Sequence, residues 1–322
     1  IVRKIGQRMG EQEKILGVHM SYAPVLDINT NPQNPIIGNR SFGEDPKRVA
    51  EKGLALMLGH HDAGILTSGK HFPGHGDTAK DSHKTLPTVR FDRSRLEKTE
   101  MLPFKKAIEL GLSSVMTAHL NVPALTLSDL PTSLSHAVVT QLLKQNIGFN
   151  GLAITDALNM KGAEPNNPDS NMDLLALLAG NDVLLISKDI PLGVEKIKKA
   201  YHNLPQVKVR VEESVKKILK AKYKVGLIQK SKVDVQSLIK RLNTRKDTLL
   251  IEEAYAKSIT LLKNNDQLLP LDPKTTYAHI KLGDDQSDVF ELQLKEYVNI
   301  KSVNPSTLDE TLVALKDFKK VI

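Results

Sequence analysis

The stretch Lys70-His71-Phe72-Pro73-Gly74-His75-Gly76-Asp77-Thr78-Ala79-Lys80-Asp81-Ser82-His83 concentrates three histidines, two aspartates and two lysines in fourteen residues. Pro73 and the two glycines forbid a regular helix there. The titratable groups are therefore carried on a loop, where binding and catalytic side chains tend to gather. Three chemistries fit them. His71, His75 and His83, with Asp77 or Asp81, offer nitrogen and oxygen ligands to a metal ion, although the Lys70 ammonium beside them opposes a cation. Ser82 supplies a hydroxyl nucleophile, but Asp81, Ser82 and His83 are consecutive, and neighbours in an extended segment point apart. Asp81 and His83 lie two apart and so point the same way when the loop is extended. The carboxylate then accepts the imidazole N–H, fixes one tautomer and leaves the other ring nitrogen as acid and base. Such a pair needs a nucleophile opposite it. Asp156 suits that role, since it ends the most apolar strand-like run of the chain, Gly151-Leu152-Ala153-Ile154-Thr155-Asp156; an aspartate in that position also suits a helix N-cap.

The elements that must hold these groups are legible as alternation. Five short apolar or β-branched runs, Ala23–Asp27, Ile65–His71, Ser113–His119, Gly151–Asp156 and Asp182–Ser187, have the length and composition of strands buried on both faces. Helical patterns separate them at Asp45–His60, Leu96–Leu110, Ser135–Asn146 and Leu174–Ala179, so the fold class is α/β with a parallel sheet. Asp27, Lys70-His71, His119 and Asp156 all stand at or beside the C-terminal end of a run. That placement predicts a (β/α)8 TIM-type barrel, whose strand ends converge on one mouth, whereas an open sheet would string these residues along a line. Five strands leave roughly three of the barrel to be supplied ahead of Ile1. Val194–Leu227 reads as one or two charged helices. The expected division is a partial barrel at 1–229, a polar linker at 230–250, and a second α/β unit at 251–322 whose first strand opens at Ser258-Ile259-Thr260-Leu261-Leu262-Lys263-Asn264.

Composition narrows the function classes. With 322 residues, 40% hydrophobic and 25% charged, the chain has the make-up of globular proteins and enough apolar residues for a sizeable core. The net charge of +8 is spread over lysines between Lys196 and Lys257 that read as solvated helix faces. Aromatic residues are only 4% and tryptophan is absent, which removes the stacking platforms that nucleic acid binding uses. Without cysteine there is no disulfide, thiolate metal site or thiol catalysis. No apolar run reaches the length of about 18 residues that a membrane-spanning helix needs. Ile1-Val2-Arg3-Lys4 opens as a helix and not as a signal peptide, so the natural N-terminus is expected upstream.

Lys70–Thr78, followed by Asp81-Ser82-His83 and Leu86-Pro87, resembles the signature of family 3 glycoside hydrolases of the β-N-acetylglucosaminidase type. Ala23-Pro24-Val25-Leu26-Asp27, Asn39-Arg40-Ser41-Phe42-Gly43, Met116-Thr117-Ala118-His119 and Ile154-Thr155-Asp156-Ala157-Leu158 are similar to its other blocks, in the same order, so the resemblance covers Ala23 to Ser187. Ser258–Leu271 resembles the start of the α/β sandwich domain of longer members. The resemblance implies a retaining, exo-acting enzyme that removes terminal β-linked N-acetylglucosamine from peptidoglycan fragments or chitooligosaccharides, with no cofactor and no metal. Asp156 would attack the anomeric carbon, His83 oriented by Asp81 would be acid and base, and Arg40, Lys70 and His71 would hold sugar hydroxyls; His119 would line the pocket, or equally be a strand-end histidine satisfied by the backbone. A histidine thus stands where retaining glycosidases usually carry a second carboxylate; its ordinary pKa of about 6.5 serves both proton transfers near neutral pH. The same resemblance favours the cell envelope or the exterior as compartment. One departure stands out: members carry an Asp-Gln-Glu-Gly-Gly-like segment that grips the far side of the sugar, and nothing in this chain matches it. Two other readings stay open on the residues, a metal-dependent hydrolase built on His71, His75 and His83, and a catalytically silent sugar-binding module.

Overall fold

Residues 1–78, 85–126, 130–164, 171–229, 232–281, 288–304, 307–318 and 320–322 are described by the structure, a computed structural model. The chain divides into two compact units, Ile1–Tyr255 and Ala256–Ile322. The first opens with helix α1 (Val2–Ile15), a two-residue strand β1 (Met20–Ser21) and helix α2 (Pro46–Asp62). Asp45 caps α2 by accepting the Arg48 N–H at 2.8 Å, and Pro46 at its first position forgoes an N–H that has no helical partner anyway. Glycines decide how closely α1 and α2 cross. A Cβ on Gly59 would stand 2.2 Å from the Arg3 carbonyl oxygen, and one on Gly6 would stand 2.4 Å from that of Leu56.

Strand β2 (Leu66–Phe72) follows, then α3 (Arg93–Lys98), α4 (Leu102–Glu109), β3 (Ser114–Thr117), a π-helix at Ala137–Asn146, β4 (Leu152–Thr155) and α5 (Met172–Ala179). The strands lie in chain order, β1-β2-β3-β4, and every neighbouring pair is parallel. Three of the five expected runs are therefore strands at the sheet centre, and they are buried on both faces as their composition predicts. The outer two differ. Ala23–Asp27 runs beside β2, with Ser68 and Lys70 donating to the Ala23 and Pro24 carbonyls and Leu26 donating to that of Lys70. It is not a continuous strand, because Pro24 has no N–H for the ladder. Asp182–Ser187 lies along β4 through a single parallel bridge, Val183 to Ile154, and the Thr155 hydroxyl takes the Leu185 N–H. The helix expected over Leu96–Leu110 is broken into α3 and α4 at Thr99–Met101. Pro103 is the reason: inside one long helix its ring would meet the carbonyl four residues back.

The main core lies between the sheet and these helices, around Leu26, Met57, Phe72, Phe104, Val115 and Leu143. Phe72 meets Phe104 edge to face with ring centres 5.4 Å apart. Helices α6 (Ile190–Asn203) and α7 (Pro205–Lys224) are the two charged helices expected there. Together with the π-helix, α7 ties down the N-terminal end of β4 through a buried carboxylate. Asp182 accepts the Ala153 N–H at 3.0 Å and the Ser214 hydroxyl at 3.0 Å, and it is paired with Arg210, with Lys144 at 3.3 Å and with Lys217 at 3.6 Å. Burial works to raise its pKa, but Lys144 and the other partners outweigh that and hold it low. Burial pushes Lys144 down to about 8 despite the attraction of Asp182. Removing one member of such a cluster leaves buried charge uncompensated, at a cost of about 3–5 kcal/mol.

The region expected as a linker contains helices α8 (Leu238–Leu242) and α9 (Arg245–Ser258). Asp247 of α9 pairs with Arg8 of α1, and Glu253 pairs with Lys4 at 3.0 Å. Because α9 runs to Ser258, the strand expected at Ser258–Asn264 is not formed. The second unit begins its strands later, with β5 (Thr276–Ile280), α10 (Val289–Lys295), β6 (Asn299–Val303) and α11 (Leu308–Ala314). β5 and β6 are parallel with α10 between them, and Val321 bridges to Ala278 on the other side of β5. No helix among the described residues is long and apolar enough to cross a membrane.

Candidate active site

Lys70 and His71 lie near the C-terminal end of β2, His119 lies two residues past β3, and Asp156 follows β4 directly. Parallel neighbours in chain order bring these ends together. Asp27 is the hub, a fully buried carboxylate at the end of the run beside β2. It accepts the His71 Nδ1–H at 2.7 Å, the His71 backbone N–H at 3.1 Å and the His75 backbone N–H at 2.7 Å. Burial would raise the Asp27 pKa, but His71, His75 and these N–H donors outweigh it and hold it below the usual carboxylate range. With Nδ1 committed to Asp27, the His71 ring keeps Nε2 without a partner among the described residues.

The loop after β2 is held against the loop that carries Arg40. The Asn34 amide donates to the His75 carbonyl at 2.8 Å, while its oxygen accepts the Ile36 and Ile37 N–H groups, each at 2.9 Å. Arg40 ends the short 3-10 turn Gly38–Arg40, its side chain is exposed, and its guanidinium donates to the Ile36 carbonyl at 3.1 Å. Thr30 donates to Asp77 at 3.0 Å. The contact has no slack: a Cβ on Gly76 would stand 1.8 Å from the Ile28 carbonyl oxygen. Gly76→Ala is therefore expected to displace the loop, costing about 1–3 kcal/mol of stability and most of any catalytic activity. Thermal melting and a turnover assay on one sample check it, and a variant unchanged in both would contradict the tight approach.

The electrostatics join the remaining residues. Burial lowers the Lys70 pKa from its ordinary value and the Arg40 guanidinium adds to this, while Asp156 and Asp27 oppose it. Asp156 also acts on His75 and His119, both of which burial holds below the ordinary histidine value. The Asp156 carboxylate is half-buried; Oδ1 accepts the N–H of Ala157 at 2.8 Å, and no donor among the described residues sits on Oδ2. His119 takes the second of its two expected readings, a strand-end histidine satisfied by the backbone. Its Nδ1 meets the Ser133 hydroxyl at 2.6 Å and its Nε2 donates to the Ala157 carbonyl at 3.1 Å, so both ring nitrogens are taken by protein. It has no polar atom left for a sugar hydroxyl.

Asp81 and His83 lie outside the described residues. Of the expected metal set, His71 turns Nδ1 to Asp27 and His75 meets the Thr78 hydroxyl through Nδ1 at 2.7 Å. Among the described residues no group of three or more His, Asp or Glu side chains is arranged to hold a metal ion. Asn34, Ser133 and Asn181 were not singled out by the sequence. Asp27 was visible only as one more polar residue at the end of a run.

The model of the glycosyl hydrolase family 3 N-terminal domain matches residues 1–221. A β-hexosaminidase A of Pseudoalteromonas piscicida is 31% identical over 98% of this chain and 55% of its own length. A protein of Cellulomonas fimi named β-N-acetylglucosaminidase/β-glucosidase is 28% identical over 84% of this chain and 50% of its own length. The solved structure of a family 3 β-N-acetylglucosaminidase from Paenibacillus sp. str. FPU-7 superposes with a TM-score of 0.78 at 31% identity, covering 99% of this chain and 64% of that one. The chain spans about half the length of the curated relatives it matches.

Proposed function

This chain belongs to glycosyl hydrolase family 3, and from that membership we propose that it carries the catalytic residues of a retaining exo-β-N-acetylglucosaminidase acting on terminal N-acetylglucosamine of muropeptides or chitooligosaccharides. The observation that carries the reading is the meeting of Asp156, Lys70 and the Asp27-held His71 at the ends of consecutive parallel strands. Sequential order without reversal is also what a (β/α)8 barrel requires, whereas a doubly wound sheet reverses at a switch point. The relatives named as β-hexosaminidase and β-N-acetylglucosaminidase supply the sugar.

In this mechanism Oδ2 of Asp156 attacks the anomeric carbon as the bond to the leaving oxygen breaks, and His83, oriented by Asp81, gives that oxygen its proton. The glycosyl-enzyme is then opened by water, which yields a proton to His83. Positive charge grows on the sugar in both transition states, and the ionised Asp156 carboxylate stabilises it. Arg40, Lys70 and Nε2 of His71 hold hydroxyls on the ring.

A fluorinated mechanism-based N-acetylglucosamine analogue, which forms the glycosyl-enzyme but hydrolyses slowly, is expected to leave its label on Asp156. Mass spectrometry of the digested protein locates it, and a label on any other residue would sink the assignment. Comparing turnover of aryl β-N-acetylglucosaminide and aryl β-glucoside tests the sugar independently of the nucleophile.

A further inference from the structure

We propose that His119 is a positioning residue for the nucleophile, holding the Asp156 carboxylate through Ala157. The proposal rests on Asp156 being the nucleophile. Ala157 is gripped at both ends: its N–H is donated to Oδ1 of Asp156 at 2.8 Å, and its carbonyl accepts Nε2–H of His119 at 3.1 Å. A carbonyl can only accept, so Nε2 carries the proton. His119 is 1% exposed and burial lowers its pKa, which favours the neutral ring, in which Nδ1 is an acceptor. The Ser133 hydroxyl, 2.6 Å away, is then the donor that locks this tautomer.

Ser133 is itself held from behind. Its carbonyl accepts the Asn181 amide at 2.8 Å, and the Asn181 oxygen accepts the Thr117 hydroxyl at 2.9 Å. Thr117 ends β3, and its carbonyl accepts the Asp156 N–H at 2.9 Å. The circuit Thr117, Asn181, Ser133, His119, Ala157 and Asp156 therefore closes on itself. Thr117, Ser133 and Asn181 are fully buried. A closed and satisfied network fixes its members more tightly than separate bonds do. Its function here is to set the direction of Oδ2, since Oδ1 is pinned and Oδ2 meets no donor among the described residues.

The test uses the intact protein with an aryl β-N-acetylglucosaminide. Asparagine in place of His119 reaches only the position of Nδ1, whereas glutamine reaches that of Nε2. His119→Asn is expected to lower kcat about 30- to 100-fold, the loss typical of a misplaced reacting group. KM is expected to move less than about three-fold, because the residue touches no substrate. Labelling by the fluorinated analogue is expected to slow in parallel, and His119→Gln to return within about five-fold of the wild type. An unchanged kcat, a raised KM with kcat intact, or equal losses in both variants would each overturn the proposal. If His119→Asn fails to fold, Ser133→Ala decides: it frees the tautomer and is expected to lower kcat about three- to ten-fold, while an unaltered kcat would overturn the idea. Failure of the wild type to be labelled on Asp156 counts against the proposed function instead.

Discussion

Asp156→Ala is expected to lower kcat on an aryl β-N-acetylglucosaminide by on the order of 10⁴- to 10⁶-fold, the loss seen when a covalent nucleophile is removed. In free energy this is about 5.5–8 kcal/mol of transition-state stabilisation. The effect is large because the residue does two things at once: it forms the bond to the anomeric carbon and supplies the negative charge opposite a developing cation. The fold should survive, since the Asp156 side chain is half-buried and its one described hydrogen bond is to the next residue. Azide fits the space an alanine leaves. It is expected to restore part of the rate and to give a glycosyl azide of inverted configuration, because only one displacement then occurs at the anomeric carbon. A variant that keeps more than about 1% of kcat would remove Asp156 from the nucleophile role.

The second large effect is expected at Asp27. Asp27→Asn keeps the shape but removes the charge and turns an acceptor into a donor, facing the N–H groups of His71 and His75. The expected cost is about 3–5 kcal/mol, or a melting point lower by roughly 6–20 °C, together with loss of activity as His71 is released. The pH dependence has a definite sign. The folded pKa of Asp27 lies below the ordinary carboxylate value, so the unfolded chain takes up its proton first as pH falls. Its stabilisation is complete above about pH 4 to 5 and drains away as pH drops through the folded value. Wild type and variant should thus melt far apart at pH 7 and draw together in acid. Melting within about 2 °C of each other at pH 7 would show that Asp27 is no such hub.

The sequence by itself determined the parallel α/β class, the three central strands and the chemical character of the loop after β2. Those follow from local rules: apolar runs of strand length, helical periodicity between them, and proline and glycine where the backbone must turn. It also determined that Asp156 stands at a strand end. The tertiary structure alone decided who holds whom. Asp27 reaches His71 across 44 residues and His75 across 48, and His119 reaches Ala157 across 38. Such pairings depend on the register between neighbouring strands, which side-chain patterns along one strand do not encode. For the same reason the sequence left His119 open between lining the pocket and bonding the backbone, and only the fold shows its nitrogens spent on Ser133 and Ala157. The run at Ser258–Asn264 shows the converse, since a short stretch with strand-like composition did not form a strand when α9 continued into its first residue. Residue types named the chemistry; the stacking of four parallel strands in order chose which acids and imidazoles face one another.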